Sequence, residues 1–156
     1  MDHEQFLKYA IKLANENVKN GEGGPFGAII VKDGVIIGQG VNKVTSHTDP
    51  TAHAEVQAIR HACLEMKDFQ LTNCTLYTSC EPCPMCFGAI YWARLKEVYY
   101  AYTKDDAKSV GFDDEYIYKE INTLDQKKTI PFNKIDVTIK EQPFTLWETN
   151  ANKKMY

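Results

Sequence analysis

Apolar residues recur at Phe6, Ala10, Leu13, Ala14 and Val18. That is the spacing of one helical face, and it predicts a helix from Asp2 to Asn20 that the run NGEGG stops. Two β-rich runs follow, FGAIIVK and VIIGQGV, separated only by Asp33-Gly34. An Asp-Gly pair between such runs predicts a hairpin. After the polar loop NKVTSHTDPT, Pro50 and Thr51 introduce a helix from about Ala52 to Met66. CTLYTS predicts a strand, Pro84 to Arg94 a helix, EVYYAYT a strand and DDEYIYKEI a short helix. KIDVTIK alternates as a fifth strand, and PFTLWETN closes the chain as a helix. A helix, a hairpin and then helix–strand alternation predict an α/β fold. The expected architecture is three-layered, α/β/α, around a central mixed five-stranded sheet, in one domain spanning residues 1–156.

Composition narrows the class. With 44% hydrophobic and 25% charged residues, the 156-residue chain has the make-up of one globular domain able to bury its own core. No apolar run approaches the roughly 20 residues of a membrane span, so no membrane partner is expected. The opening MDHEQFLKYAIKLANENVKN is amphipathic and has no basic n-region or small-residue cleavage site, which makes the cytoplasm the expected compartment. A net charge of -3 argues against a large phosphate-binding face, hence against nucleic acid as a partner.

Five cysteines are an odd number, and Cys80, Cys83 and Cys86 fall within seven residues. That is a poor disulfide framework and a better metal or catalytic cluster. Pro84 at the first helical position makes Cys83 the N-cap, so Cys83 and Cys86, at i and i+3, can turn both sulfurs to one point off the helix N-terminus. The helix dipole there favours thiolate, the form that binds metal. By themselves these residues equally fit a C-x-x-C redox dithiol or two small buried side chains.

PTAHAEVQAI supplies a second motif. His53 with Cys83 and Cys86 makes three zinc ligands, and a site with three protein ligands keeps a fourth position open, as catalytic zinc does. Glu55 is then a carboxylate beside that position, suited to proton transfer. Residues i and i+2 of a helix point about 200° apart, so His53 and Glu55 converge only around a helix end. Pro50 and Thr51 put the end there.

HAE followed by PCPMC resembles the zinc-dependent nucleoside and nucleobase deaminases, the cytidine deaminase-like superfamily. Within it, GGPFGAIIV, LYTSCEPCPMCFGAIYWAR, GFDDEYIYKEI and the terminal ANKKMY are similar to the bacterial guanine deaminases. The resemblance implies hydrolytic deamination of a purine base, guanine to xanthine and ammonia. It implies Zn²⁺ held by His53, Cys83 and Cys86, with Glu55 as general acid and base. Cys80 matches no ligand position and reads as a small core residue. Asp114 is the implied second carboxylate, near N1 or the departing amine, next to the competing Asp113.

Four further residues are implied to bind the base: Phe26, Asn42, Ala54 and Tyr156. From the residues alone, Phe26 is a core aromatic of a strand and Asn42 a turn residue. Tyr156 is a terminal side chain that frays. The resemblance also implies a homodimer whose C-terminal segments, about residues 143–156, are exchanged between subunits. Two rivals remain. A tRNA adenosine deaminase shares the zinc motif, but the tail PFTLWETNANKKMY is mixed rather than basic. A non-catalytic zinc or thiol-redox domain leaves Glu55 without a purpose.

Overall fold

Asp2 starts the first helix by accepting the Gln5 N–H, while the Gln5 side chain accepts the Asp2 N–H in a capping box. This helix, α1 (His3–Lys19), buries Phe6, Ala10, Ala14 and Asn17. Val18, expected on the buried face, is half exposed, and Asn17 takes the inward position instead. The computed structural model describes residues 1–156, which divide into two compact units, Met1–Glu115 and Tyr116–Tyr156.

In the first unit, β1 (Gly27–Lys32) and β2 (Val35–Val41) form the expected hairpin. Asp33 and Gly34 both have positive φ, 49° and 79°, as the two central residues of a type I′ turn require. A single turn, α2 (Val44–His47), follows, then α3 (Ala54–Met66), β3 (Thr75–Cys80), α4 (Pro84–Trp92), β4 (Glu97–Tyr102) and α5 (Lys104–Ser109). The strand order is β2-β1-β3-β4. β1 is antiparallel to both neighbours, and β3 runs parallel to β4, with α4 as the crossover that a parallel pair needs.

Both faces of this mixed sheet are covered. Ile29, Val31 and Tyr77 pack with Phe6 of α1 on one face. Ala28, Ile30 and Leu76 pack with Ala54, Ala58 and Ala62 of α3 and with Ile90 of α4 on the other. This two-sided burial explains why β1 reads as a nearly continuous apolar run, GAIIVK. Helix α3 lies very close to β2: a Cβ on Gly40 would stand 2.3 Å from the Ala54 carbonyl oxygen. The alanine stripe and the strand glycines thus fix where the N-terminus of α3 sits.

The second unit continues α6 (Glu115–Ile121), a 3₁₀ turn (Asp125–Lys127) and α7 (Pro143–Thr149). The expected fifth strand is absent, so the sheet has four strands, not five. Lys134–Lys140 lies outside any sheet, with Ile135, Val137 and Ile139 all exposed. Alternation specifies two faces of a strand but not the neighbour whose backbone must supply its hydrogen bonds. Helix α5 was not foreseen: it is too polar for a periodic signal, and a capping box between Thr103 and Asp106 starts it. No helix is long and apolar enough to cross a membrane.

Candidate active site

Two helix N-termini converge beyond the carboxyl end of β3. His53 is the N-cap of α3 and Cys83 the N-cap of α4, with Pro84 opening that helix. The expected start of α3 at Ala52 moves to Ala54, which leaves His53 outside the helical spiral. That frees its ring to face the same point as Glu55 in the first turn. His53 Nδ1 lies 3.5 Å from Cys83 Sγ and 3.6 Å from Cys86 Sγ. All three ligand atoms are within 4.8 Å of one another.

This donor set fits zinc. Tetrahedral bonds of about 2.1 Å to nitrogen and 2.3 Å to sulfur place the two outer atoms about 3.6 Å apart. Both nitrogen–sulfur separations here match that edge. The local field favours thiolate at Cys83, whose pKa is brought down to about 4 by hydrogen bonding with Cys86 and with His53. The Cys86 N–H donates to Cys83 Sγ. Hydrogen bonding with Cys83 raises the pKa of His53 in turn. Hydrogen bonding with Cys83 and burial push the Cys86 thiol up, opposite to Cys83.

Glu55 is buried. Its Oε1 accepts a hydrogen bond from the Thr78 hydroxyl at 3.1 Å, and its Oε2 lies 3.4 Å from Cys86 Sγ. Burial raises its pKa, which suits a group that must take up and release a proton near neutrality. Cys80 is near but differently occupied: its thiol donates to the Thr103 carbonyl, and burial pushes its pKa up to about 11. Glu81 accepts the Lys104 N–H and serves the loop before α5.

Asn42 is buried, and its orientation is fixed. Its Oδ1 accepts from the Gly24 and Val44 N–H groups, leaving Nδ2 as a donor. Asn17 clamps this corner from α1 by donating to the carbonyls of Gly24 and Asn42. Phe26 is partly buried against the core and meets Phe112 edge-on, with centroids 5.0 Å apart. Ala54 is fully buried as the first residue of α3, where helical N–H groups have no partner within the helix.

The two neighbouring aspartates differ. Asp113 accepts the Glu115 N–H at the start of α6 and pairs with Lys108. Asp114 is half-buried, and burial, followed by the charge at Cys83, raises its pKa. Tyr156 belongs to the second unit and is exposed.

Sequence reasoning missed Thr78 and Asn17. Thr78 had one signal, its place beside Leu76 and Tyr77 in a strand; Asn17 had none, because the apolar spacing of α1 points to Val18 instead.

Residues 1–102 match the family model for the cytidine and deoxycytidylate deaminase zinc-binding region. The chain belongs to this zinc-binding deaminase family. Among its relatives, the guanine deaminase of Bacillus subtilis (strain 168) is 58% identical over 156 residues, all of both chains. The X-ray structure of guanine deaminase from Bacillus subtilis superposes with a TM-score of 0.97, covering 100% of this chain and 99% of that one. A tRNA-specific adenosine deaminase of Buchnera aphidicola subsp. Schizaphis graminum is 42% identical over 82% of this chain and 85% of its own.

Proposed function

We propose that this deaminase hydrolyses guanine to xanthine and ammonia, with zinc held by His53, Cys83 and Cys86. The observation that carries the substrate is the full-length likeness to the Bacillus subtilis guanine deaminase, through the tail as well as the zinc region. The likeness to the tRNA-specific enzyme is weaker and leaves part of the chain uncovered.

Zinc bound at this triad supplies a Lewis acid that lowers the pKa of a water at its open position. Glu55 takes the proton from the attacking water as the oxygen reaches C2 of the purine. It delivers that proton to ring N3. A carboxylate then takes the proton of the new C2 hydroxyl and passes it to the amino group. The C2–N bond breaks, ammonia leaves and the C2 carbonyl of xanthine forms. Asp114 is our candidate for the second carboxylate, beside Glu55, in this step. Guanine and water go in; xanthine and ammonia come out. Asn42 Nδ2 donates to an acceptor on the purine edge, Phe26 stacks on its face, and Ala54 offers the backbone N–H of a helix start.

The working form is a homodimer with exchanged C-terminal segments, about residues 143–156, so that Tyr156 closes over the base in the partner's pocket. Two features support this. Beyond β4 the sheet edge has no neighbouring strand. In the second unit Phe144, Leu146, Ile135 and Val137 are exposed apolar side chains, at 84%, 53%, 76% and 70%, that a lone chain leaves in water. The cytoplasm suits the five free cysteines.

Ammonia release from guanine, adenine, cytosine, cytidine and a tRNA anticodon stem-loop tests the reading. Release from guanine in large excess over the others is expected. Faster release from the stem-loop would replace guanine deamination with tRNA editing.

A further inference from the structure

Thr78 lies on β3, a central strand of the sheet, and is 1% exposed. A hydroxyl sealed at this depth must be paired. Its side-chain partner is Glu55 Oε1, at 3.1 Å. The fold does not require the hydroxyl, because valine has the same shape and suits a buried strand at least as well. The partner of Thr78 on β1, Ala28, and Leu76 two residues earlier on β3 are fully buried and apolar, and Tyr100 is its partner on β4.

Glu55 thus has two unlike oxygens. Oε1 is tied to Thr78, whereas Oε2 lies against Cys86 Sγ on the side of the ligand cluster. A carboxylate without the Thr78 bond can rotate about its last torsion, which is soft. Rotation costs little energy but moves the working oxygen off the line between water and base. We infer that Thr78 is a positioning residue: its hydroxyl holds Glu55 Oε1, making Oε2 the oxygen that takes and returns the proton. The role rests on the reading of Glu55 as general acid and base.

The same bond serves each stage of the cycle. Thr78 donates to Oε1 when Glu55 is ionised, and the bond survives once Oε2 is protonated, because Oε1 still accepts. Binding of guanine does not involve Thr78, so its loss should appear in kcat rather than in KM.

The test compares Thr78→Val, Thr78→Ser and Glu55→Gln in the full-length zinc-loaded protein. Zinc content, melting temperature, kcat and KM for guanine are measured for each. Thr78→Val should keep its zinc, its melting temperature and its KM, and lose about ten- to a hundredfold in kcat, the worth of a hydrogen bond to a charged group. Thr78→Ser, which retains the hydroxyl, should recover most of that loss. An unchanged kcat in Thr78→Val, with Glu55→Gln inactive, overturns the role of Thr78 alone. Activity in Glu55→Gln overturns the role of Glu55 and this inference with it. A Thr78→Ser chain as slow as Thr78→Val would mean that the hydroxyl alone does not hold Glu55 and that packing around this side chain sets the rate. Loss of zinc or of the fold in Thr78→Val would assign the hydroxyl to structure. Either result overturns the inference.

Discussion

His53 and Cys83 hold the same place on two different helices: each is the N-cap, and His53 Nδ1 meets Cys83 Sγ at 3.5 Å. A ligand at an N-cap stands clear of the spiral and faces the positive end of the helix dipole, which favours thiolate sulfur. With both caps at one point, two helices that share the core on one side of the sheet also offer one set of donors suited to a metal.

The first prediction follows from that pairing. Cys83→Ala should lose zinc, and Cys80→Ala should keep it. Cys83 lies in the ligand cluster, with its Sγ 3.5 Å from His53 Nδ1, whereas Cys80 is outside that cluster and its thiol is bonded to the Thr103 carbonyl. Metal analysis of the two purified variants checks this, and retention of zinc by Cys83→Ala would break the ligand assignment.

Much of this site was legible because its signals are local. Pro84 names an N-cap, and H-x-E next to a helix start places a ligand and a carboxylate around one end. The fifth strand was not legible, because Ile135, Val137 and Ile139 alternate whether or not another backbone is present to pair with them. Thr78 was hidden for a related reason. Its meaning depends on Glu55, which lies 23 residues earlier in the chain and on a different element.

Glu55→Gln should fold and bind zinc yet turn guanine over at least about 10²–10⁴-fold more slowly, since an amide neither accepts nor relays the proton. Single-turnover assays at matched zinc content decide this. More than about a tenth of normal activity lies outside the range for acid–base loss and would remove Glu55 from the mechanism.

Asp113 and Asp114 are adjacent but face different tasks. Asp113 accepts the Glu115 N–H and pairs with Lys108, while Asp114 is the half-buried one whose pKa is raised. Asp114→Ala should therefore cost the greater share of activity, with zinc retained in both variants. Asp113→Ala should act chiefly on stability, by about 1 kcal/mol for the lost hydrogen bond to the Glu115 N–H. Equal kinetic losses would mean that the segment works through its conformation.

Asn42 calls for a substitution that respects both ends of its amide. Alanine would strip two backbone N–H groups of their acceptor along with the Nδ2 donor. Asn42→Asp keeps the acceptor for both N–H groups and replaces the Nδ2 donor with a carboxyl oxygen, which also brings a buried acid. Its kcat/KM for guanine should fall by roughly 5- to 150-fold, corresponding to about 1–3 kcal/mol for an unpaired polar group. Unchanged efficiency would return Asn42 to a purely local role in the loop.

The tail provides the last prediction. After α7 the residues ANKKMY offer little apolar surface of their own, so they have small reason to order unless they bind something. The first unit, by contrast, carries the four-stranded sheet, both buried clusters and all three proposed zinc ligands. Deleting Asn152 to Tyr156 should therefore leave zinc content and the melting temperature nearly unchanged. Guanine turnover should fall by about 100-fold, the scale of losing a group that positions the substrate and excludes water. Mixing the truncated chain with an intact-tailed Glu55→Gln chain separates a crossed tail from one that folds back. In a crossed hybrid dimer, the tail of the Glu55→Gln chain closes the pocket that still has Glu55, and activity returns in part. With a tail that closes its own pocket, each half of the hybrid lacks one component and the mixture stays inactive. Hybrid dimers confirmed by mass and still inactive would exclude the exchange, and full activity in the truncated chain alone would remove Tyr156 from the active site.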